Sequence, residues 1–377
     1  MKIIFTGGGT GGHFYPIIAI VEEMRQILRE RKLLEPQMYF LAPDAYDKGL
    51  LFDHNIEFRK IPSGKWRRYF SVLNYLDLFK LSYGIIKAIY VVFKIYPDVI
   101  FSKGGFGSIP TVFAGRILRI PIIIHESDSA PGISNKWAGK FATKIAITYP
   151  SAGSYFPKDK VAWTGNPVRK AVRIPAPEGG HKFLGFIPEI KTILILGGSQ
   201  GSVNMNNAVI ESIASLVENY QIIHQVGRKN FDEVKRVSAL TLQDVDPKLK
   251  DRHKIYDYLN DLAMRMSAGA ADLVITRAGS TLSEISSWGL PAIIIPIPTE
   301  VSHDQQKNAY EYARGGGATV IEENNLTPEI LSAEIRRILE NEDLYKKMSE
   351  NAKSFAKPNA GKVIANEILK TALNHEK

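Results

Sequence analysis

The chain has 377 residues, enough for two domains with full cores, and its 45% hydrophobic and 23% charged residues are those of an ordinary globular protein. It holds no cysteine, which excludes disulfides and thiolate metal sites, and no run reaches the roughly 18 apolar residues that a membrane span needs. The net charge of +9 favours an anionic partner: nucleic acid, a phosphorylated ligand or an anionic membrane surface. The first residues read directly as a strand, so no signal peptide is expected.

In chain order, residues 3–6 predict a buried strand, five of the six positions 7–12 are glycine, and 16–28 predict a helix with Pro16 in its first turn. Strand, glycine turn and helix form the phosphate-holding unit of doubly wound α/β folds. Glycine lets the backbone approach an anion, and the helix start offers unpaired N–H groups. Further strands are predicted over 37–41, 56–61, 98–101, 121–125, 144–147 and 161–164, with a helix over 107–118. The opening pattern returns at 192–196, followed by Gly197-Gly-Ser-Gln-Gly-Ser202 and a helix over 204–218. Strands over 222–226, 254–258, 273–276, 292–296 and 318–321 complete a second set. Strands separated by helix-length segments predict parallel sheets, hence two Rossmann-like α/β domains. The expected boundaries are 1–167, a Pro- and Gly-rich linker over 168–191, a second domain over 192–357, and a last helix over 358–377 packing back on the first domain.

Each strand end carries a motif. His13 follows the first glycines, where a helix N-terminus keeps imidazole neutral and able to act as a base. Gly7, Gly9 and Gly12 also fit G-x-G-x-x-G, a dinucleotide signature that needs an acidic residue ending the second strand; Asp44 lies just beyond it. Ser102-Lys-Gly-Gly-Phe-Gly-Ser108 and His125-Glu-Ser-Asp128 follow two further strands, the latter offering a base or acceptors for sugar hydroxyls without a metal-ligand spacing. In Arg277-Ala-Gly-Ser-Thr-Leu-Ser-Glu284, the glycine–hydroxyl start suits phosphate. Glu284 there suits a ribose diol, or pairs with Thr281 as a capping box. His303-Asp-Gln-Gln-Lys-Asn308 suits sugar hydroxyls. Trp66, Arg67, Arg68, Tyr69 and Phe70, with Phe79, mix rings and cations as a membrane-surface helix does; a helix covering the sheet is the plainer reading.

Taken in order, GGGTGGHFYP, SKGGFGS, HESDSAPGISNKW, GNPVR, LGGSQGS, ADLVITRAGSTLSEISSWGLPAIIIPIP and HDQQKNA resemble the bacterial MurG-type family. Its members transfer N-acetylglucosamine from UDP-N-acetylglucosamine to undecaprenyl-linked lipid I in peptidoglycan synthesis, forming lipid II. The resemblance implies a GT-B fold, two Rossmann-like parallel-sheet domains around a cleft. It implies that Thr10, Gly11 and Gly12 face the donor sugar or acceptor diphosphate and that His13 is the base, with Glu126 as the alternative. Arg169 and Ser199 would contact the donor diphosphate and Leu259 would offer its backbone to uracil. Ser280, Thr281 and Glu284 would hold phosphate and ribose, and Gln305 the donor sugar. Asp128, resembling a position that is Asn on sugar hydroxyls in one form of the family, would accept from such hydroxyls but not donate. The 277–284 loop is one residue short of the family spacing, and the segment around Leu259 is shifted in length. The expected chemistry is a single inverting displacement without cofactor or metal, at the cytoplasmic face of the cell membrane. An anionic membrane surface is then the expected partner, and no nucleic acid, for which no binding module is present. The rival readings are a transferase for another acceptor, a nicotinamide-dependent dehydrogenase and a non-catalytic scaffold.

Overall fold

The structure, a computed structural model, describes residues 1–64, 73–198, 201–299 and 304–375. The chain forms two compact units, Met1–Arg169 with Lys357–Lys377, and Lys170–Ala356.

Among the described residues, unit 1 carries seven parallel strands: β1 (Lys2–Thr6), β2 (Gln37–Ala42), β3 (Ile56–Lys60), β4 (Val99–Ser102), β5 (Ile122–Glu126), β6 (Lys144–Ile147) and β7 (Val161–Trp163). Their order is β3-β2-β1-β4-β5-β6-β7, with Ile4 opposite Tyr39 on one side and Ile100 on the other. Side chains alternate across the sheet. Ile3 and Phe5 pack with Ile17, Ile20 and Met24 of the helix Gly11–Glu30 and with Ile364 and Ile368 of the helix Ala360–His375. Ile4 faces the other way, onto Ala88 and Val92 of the helix Leu73–Ile95. Both faces of the central strands are covered, so β1 and β4 read as largely apolar runs, whereas the edge strand β3 is mostly exposed and polar.

Unit 2 repeats the plan with β8 (Thr192–Leu196), β9 (Gln221–Gln225), β10 (His253–Tyr256), β11 (Leu273–Thr276), β12 (Ala292–Ile294) and β13 (Ala318–Val320), ordered β10-β9-β8-β11-β12-β13. A small device recurs as well. Asp98, just before β4, accepts from Lys2 N at 2.6 Å, and Asp272, just before β11, accepts from Thr192 N at 2.8 Å. In each unit a carboxylate caps the first N–H of the leading strand, which the ladder leaves unpaired.

Every predicted strand is present, with ends shifted by one or two residues. Larger differences concern helices. The first helix begins at Gly11, not at 16: His13 N and Phe14 N both donate to Thr10 O, at 3.0 and 3.1 Å. Glycine's poor helix propensity hides this start, and Pro16 sits inside the helix, unable to donate to Gly12 O. The stretch 168–191, read as a linker, holds the helices Lys170–Arg173 and Pro177–Leu184, both within unit 2. Gly180 is there for close packing: a Cβ would lie 2.5 Å from the carbonyl oxygen of Met266 on the helix Asp261–Ala270.

Candidate functional site

In an open parallel sheet, neighbouring strands whose connections leave in opposite directions create a crevice at their carboxyl ends. Unit 1 has this switch point at β1 and β4, and unit 2 at β8 and β11. The glycine-rich loops 7–12 and 197–202 leave β1 and β8. The motifs 103–108 and 277–280 leave β4 and β11.

In unit 1 the two loops meet backbone to backbone. Gly105 has φ +81 and ψ 166, a region open to glycine alone. A Cβ there would lie 2.9 Å from Gly8 Cα and 3.3 Å from His13 Nε2. His13 is thereby held against the β4 loop. Its Nδ1 hydrogen-bonds Thr10 Oγ1 at 2.8 Å. Thr10 is the N-cap residue but makes no side-chain cap, so its hydroxyl orients the imidazole. Gly11 and Gly12 occupy the first helical turn, where N–H groups lack intrahelical partners. His13 is half-buried in dense surroundings. Desolvation, then the charge of Lys103, lowers its pKa to about 4, so the ring is neutral at pH 7.

The loop after β5 is built around Glu126, which is 3% exposed. Its Oε1 accepts from Asp128 N at 2.9 Å. Its Oε2 accepts from Gly132 N at 3.2 Å and Asn135 Nδ2 at 3.0 Å. Burial, then the Asp128 charge, raises its pKa to about 7. Its oxygens are committed to shaping the 126–135 loop, which leaves it poorly placed as a base. His125, fully buried, bonds Gly165 O through Nε2 at 3.0 Å and so anchors the turn before Arg169. Arg169, buried at the end of unit 1, lies over the ring of Tyr15, 3.9 Å from its centroid. Asp128 is half-buried.

Three residues inside the quoted motifs acquire roles that no spacing revealed. Ser134 Oγ accepts from Gly105 N at 3.0 Å. Asn135 ties the β5 loop by donating to His125 O at 3.0 Å, and its amide also closes over Gly104, where a Cβ would be 2.6 Å away. Lys103 is 1% exposed, and among the described residues its Nζ meets no hydrogen-bond partner.

In unit 2 the N-cap of the helix Thr281–Trp288 is Ser280, one residue before the Thr281 of the expected capping box, and the Ser280 side chain makes no cap bond. A Cβ on Gly279 would meet nothing within 4 Å, leaving the loop open on that side. Ser280, Thr281 and Glu284 are half-buried around this start. Arg277 organises it. The guanidinium pairs with Glu323, donates to Ser202 Oγ, and donates to Ile295 O at 2.9 Å. Glu323 in turn accepts from Asn204 Nδ2 at 2.5 Å. One half-buried cation thus ties Ser202, after β8, to the end of β11. Gln305 opens the helix Gln305–Arg314 and accepts from Ile297 N at 3.4 Å, while Asn308 donates to Ala278 O at 3.3 Å. Leu259 is buried in the core, so only its backbone is offered. Ser199, and likewise Trp66, Arg67, Arg68, Tyr69 and Phe70, lie outside the described residues.

Comparisons with known proteins agree with this division. A model of the glycosyltransferase family 28 N-terminal domain matches residues 3–147, and one of its C-terminal domain matches 192–364. A UDP-N-acetylglucosamine--N-acetylmuramyl-(pentapeptide) pyrophosphoryl-undecaprenol N-acetylglucosamine transferase of Halothermothrix orenii is 35% identical over 378 residues, 99% of each chain. The crystal structure of Acinetobacter baumannii MurG aligns with a TM-score of 0.71 at 25% identity, over 98% of this chain and 100% of that one. A UDP-GlcNAc 2-epimerase from Neisseria meningitidis, bound to UDP-GlcNAc, reaches the same TM-score of 0.71 at 15% identity, over 98% and 100% of the two chains; it shares the fold alone. Similarity of fold therefore does not separate transferase from epimerase, but identity along the whole sequence does: the chain belongs to glycosyltransferase family 28.

Proposed function

We infer that this protein transfers N-acetylglucosamine from UDP-N-acetylglucosamine to lipid I with inversion at the anomeric carbon. The observation that carries the reading is the near full-length identity to transferases of that activity. The neutral imidazole at the switch point of unit 1 supports it. Unit 1 supplies the base, the acceptor contacts and, through Arg169, one donor contact, and unit 2 the other donor contacts.

In the reaction, a hydroxyl of the acceptor sugar attacks C1 of the donor. His13 takes the hydroxyl proton on Nε2, its Nδ1 being held by Thr10. A pKa of about 4 makes the free imidazole a weak base, and an acceptor diphosphate close by raises it by favouring the imidazolium. Thr10, Gly11 and Gly12 border that diphosphate or the donor sugar, and Asp128 accepts from sugar hydroxyls. The departing UDP gathers charge on its diphosphate. The first-turn N–H groups at Ser280 and Thr281 and the Arg169 guanidinium are the donors for it. Glu284 takes the ribose, Gln305 the donor sugar and the Leu259 backbone the uracil. Glu126 shapes its loop and is the weaker choice of base.

The acceptor is a lipid, and the protein offers a surface for one. No described helix is long and apolar enough to cross a membrane. On the helix Leu73–Ile95, Ala88, Val92 and Ile95 face the core, while Phe79, Tyr83, Ile86, Tyr90 and Phe93 stand 58–74% exposed. Lys80, Lys87 and Lys94 accompany this stripe. Rings that enter the interface beside cations that meet lipid phosphates make a peripheral anchor for an anionic inner leaflet.

The test is transfer of labelled N-acetylglucosamine to a lipid I analogue by wild type and His13→Ala, with UDP-N-acetylmannosamine formation assayed in parallel. Transfer by wild type and a folded, nearly inactive variant support the reading. Transfer undiminished in the variant removes His13 as base. Epimerisation without transfer overturns the function. For the surface, Phe79→Ser with Tyr83→Ser is expected to abolish sedimentation with phosphatidylglycerol vesicles, and unchanged sedimentation refutes the anchor.

A further inference from the structure

We propose that Lys103 is a positioning residue for the acceptor side of this reaction: its enclosed ammonium offsets the carboxylates of Glu126 and Asp128 and acts on His13, so that one cation sets the charge of both the base and the sugar-binding loop. The proposal rests on the transferase reading above.

Lys103 directly follows β4 at the switch point, and its N–H donates to Thr6 O at the end of β1 at 2.9 Å. The side chain runs inward and is 1% exposed, with Nζ unbonded among the described residues. A lysine that served packing alone would extend its ammonium to water, since burying an unbonded cation is costly. Burial persists here because there is charge to offset. Glu126 and Asp128 both act on Lys103, and Lys103 acts on His13 and His125. Glu126 spends its oxygens on three loop donors, so the cation is its counter-charge rather than its hydrogen-bond partner. Asp128 adds a second carboxylate to the same loop. The two carboxylates repel: Asp128 pushes Glu126 toward its protonated form, and the Lys103 charge opposes that push. Lys103 offsets the negative charge of this loop and disfavours a second positive charge on His13. Because the ammonium is enclosed, it acts through these neighbours rather than on the sugar.

The titratable groups involved are Lys103, which acts on His13, and Glu126, Asp128 and His125, which interact with Lys103. The experiment measures steady-state transfer from UDP-N-acetylglucosamine to a lipid I analogue for the full chain as wild type, Lys103→Met, Asp128→Asn and the double variant. K103M is expected to lower kcat/KM for the acceptor about 100-fold, as a misplaced reacting group does, with the KM for UDP-N-acetylglucosamine unchanged. Its acid limb should move to higher pH, because the cation opposing imidazolium is gone and the carboxylates favour it. D128N should cost about tenfold, and the double variant should recover at least about tenfold over K103M, the non-additivity of a coupled pair. Additive losses, equal rises in both KM values, or an unmoved acid limb overturn the proposal. If K103M alone fails to fold, the double variant decides: activity near that of D128N supports the charge balance, and a folded but inactive protein overturns it. A wild type that transfers nothing overturns the transferase reading and this proposal with it, whereas an active wild type with any of the contrary outcomes overturns the proposal alone.

Discussion

Each unit holds a pair of histidines whose pKa values are driven down by desolvation, yet the two pairs are built differently. In unit 2, His224 on β9 and His253 on β10 stack with ring centroids 5.6 Å apart. Every ring nitrogen has a partner. Ser238 Oγ meets His253 Nδ1 at 2.9 Å, His253 Nε2 meets His224 Nδ1 at 3.4 Å, and His224 Nε2 meets Asn206 Oδ1 at 3.1 Å. Asn206 closes the chain on Val226 O at 3.1 Å. In unit 1, His13 after β1 and His125 on β5 both feel the charge of Lys103, a buried cation after β4 whose Nζ has no hydrogen-bond partner among the described residues. A depressed imidazole pKa therefore does not mark a functional site. An enclosed, unbonded charge among titratable groups beside a switch point is the better marker, because it acts on the groups that a substrate meets there.

The largest expected effect that sharpens this contrast is on activity. His13→Ala should lower transfer by roughly 100-fold to 10,000-fold, the usual worth of a general base, with the melting temperature nearly unchanged. His224→Ala should leave turnover per folded molecule intact. Equal activity losses in the two variants would erase the distinction. Gly105→Ala comes next. Its φ of +81 and the 2.9 Å approach to Gly8 Cα must both give way. Displacing the loop that holds His13 should cost about 100-fold in kcat/KM; near wild-type kinetics would mean that loop contact is incidental. Thr10→Ala removes the bond that orients His13 and should cost roughly threefold to tenfold, equivalent to about 0.5–1.5 kcal/mol, read as kcat with donor KM constant.

Smaller effects concern stability. His224→Ala strands buried partners on both sides and should destabilise by about 1–3 kcal/mol in chemical denaturation. Replacing both rings, His224→Leu with His253→Phe, should be closer to neutral. The same double variant tests pH dependence. His253 takes a proton near 6.5 when unfolded but only near 4 when folded. The unfolded state binds more protons between these values, so stability is full above about 6.5 and is lost as pH falls toward 4. Removing the pair should flatten that loss. Glu126 works with the opposite sign: its pKa rises from 4.5 to about 7, so its contribution is lost as pH rises through that window. Urea midpoints of wild type and the double variant at pH 7 and 5 check this, and parallel pH profiles would refute it.

Much of the fold was legible in the sequence. The buried central strands are short local apolar runs such as Ile3-Ile-Phe5 and Ile193-Leu-Ile-Leu196, and each strand of the described residues has a counterpart among the predicted ones. The glycine loops were equally visible, since a close backbone approach admits only that residue. Helix starts and linkers were not. Gly11 and Gly12 argue locally against a helix, and Gly179 and Gly180 read as linker, because what offsets glycine's poor propensity is a partner elsewhere in the chain.

The candidate site divides along the same line. Sequence determined which residue types follow which strands, and so placed His13, Glu126, Asp128, Ser280, Glu284 and Gln305 at sheet ends. Tertiary structure decided their use. Glu126 has its oxygens taken up by its own loop, and His125 is held by Gly165, forty residues on. Arg277 ties Ser202 to Glu323, and Lys103 is shut in beside two carboxylates. The physical reason is range. Apolar periodicity and glycine conformation act within a few residues, whereas burial of a charge, the partner of a hydrogen bond and the pKa that follows depend on atoms brought together only when the chain is folded.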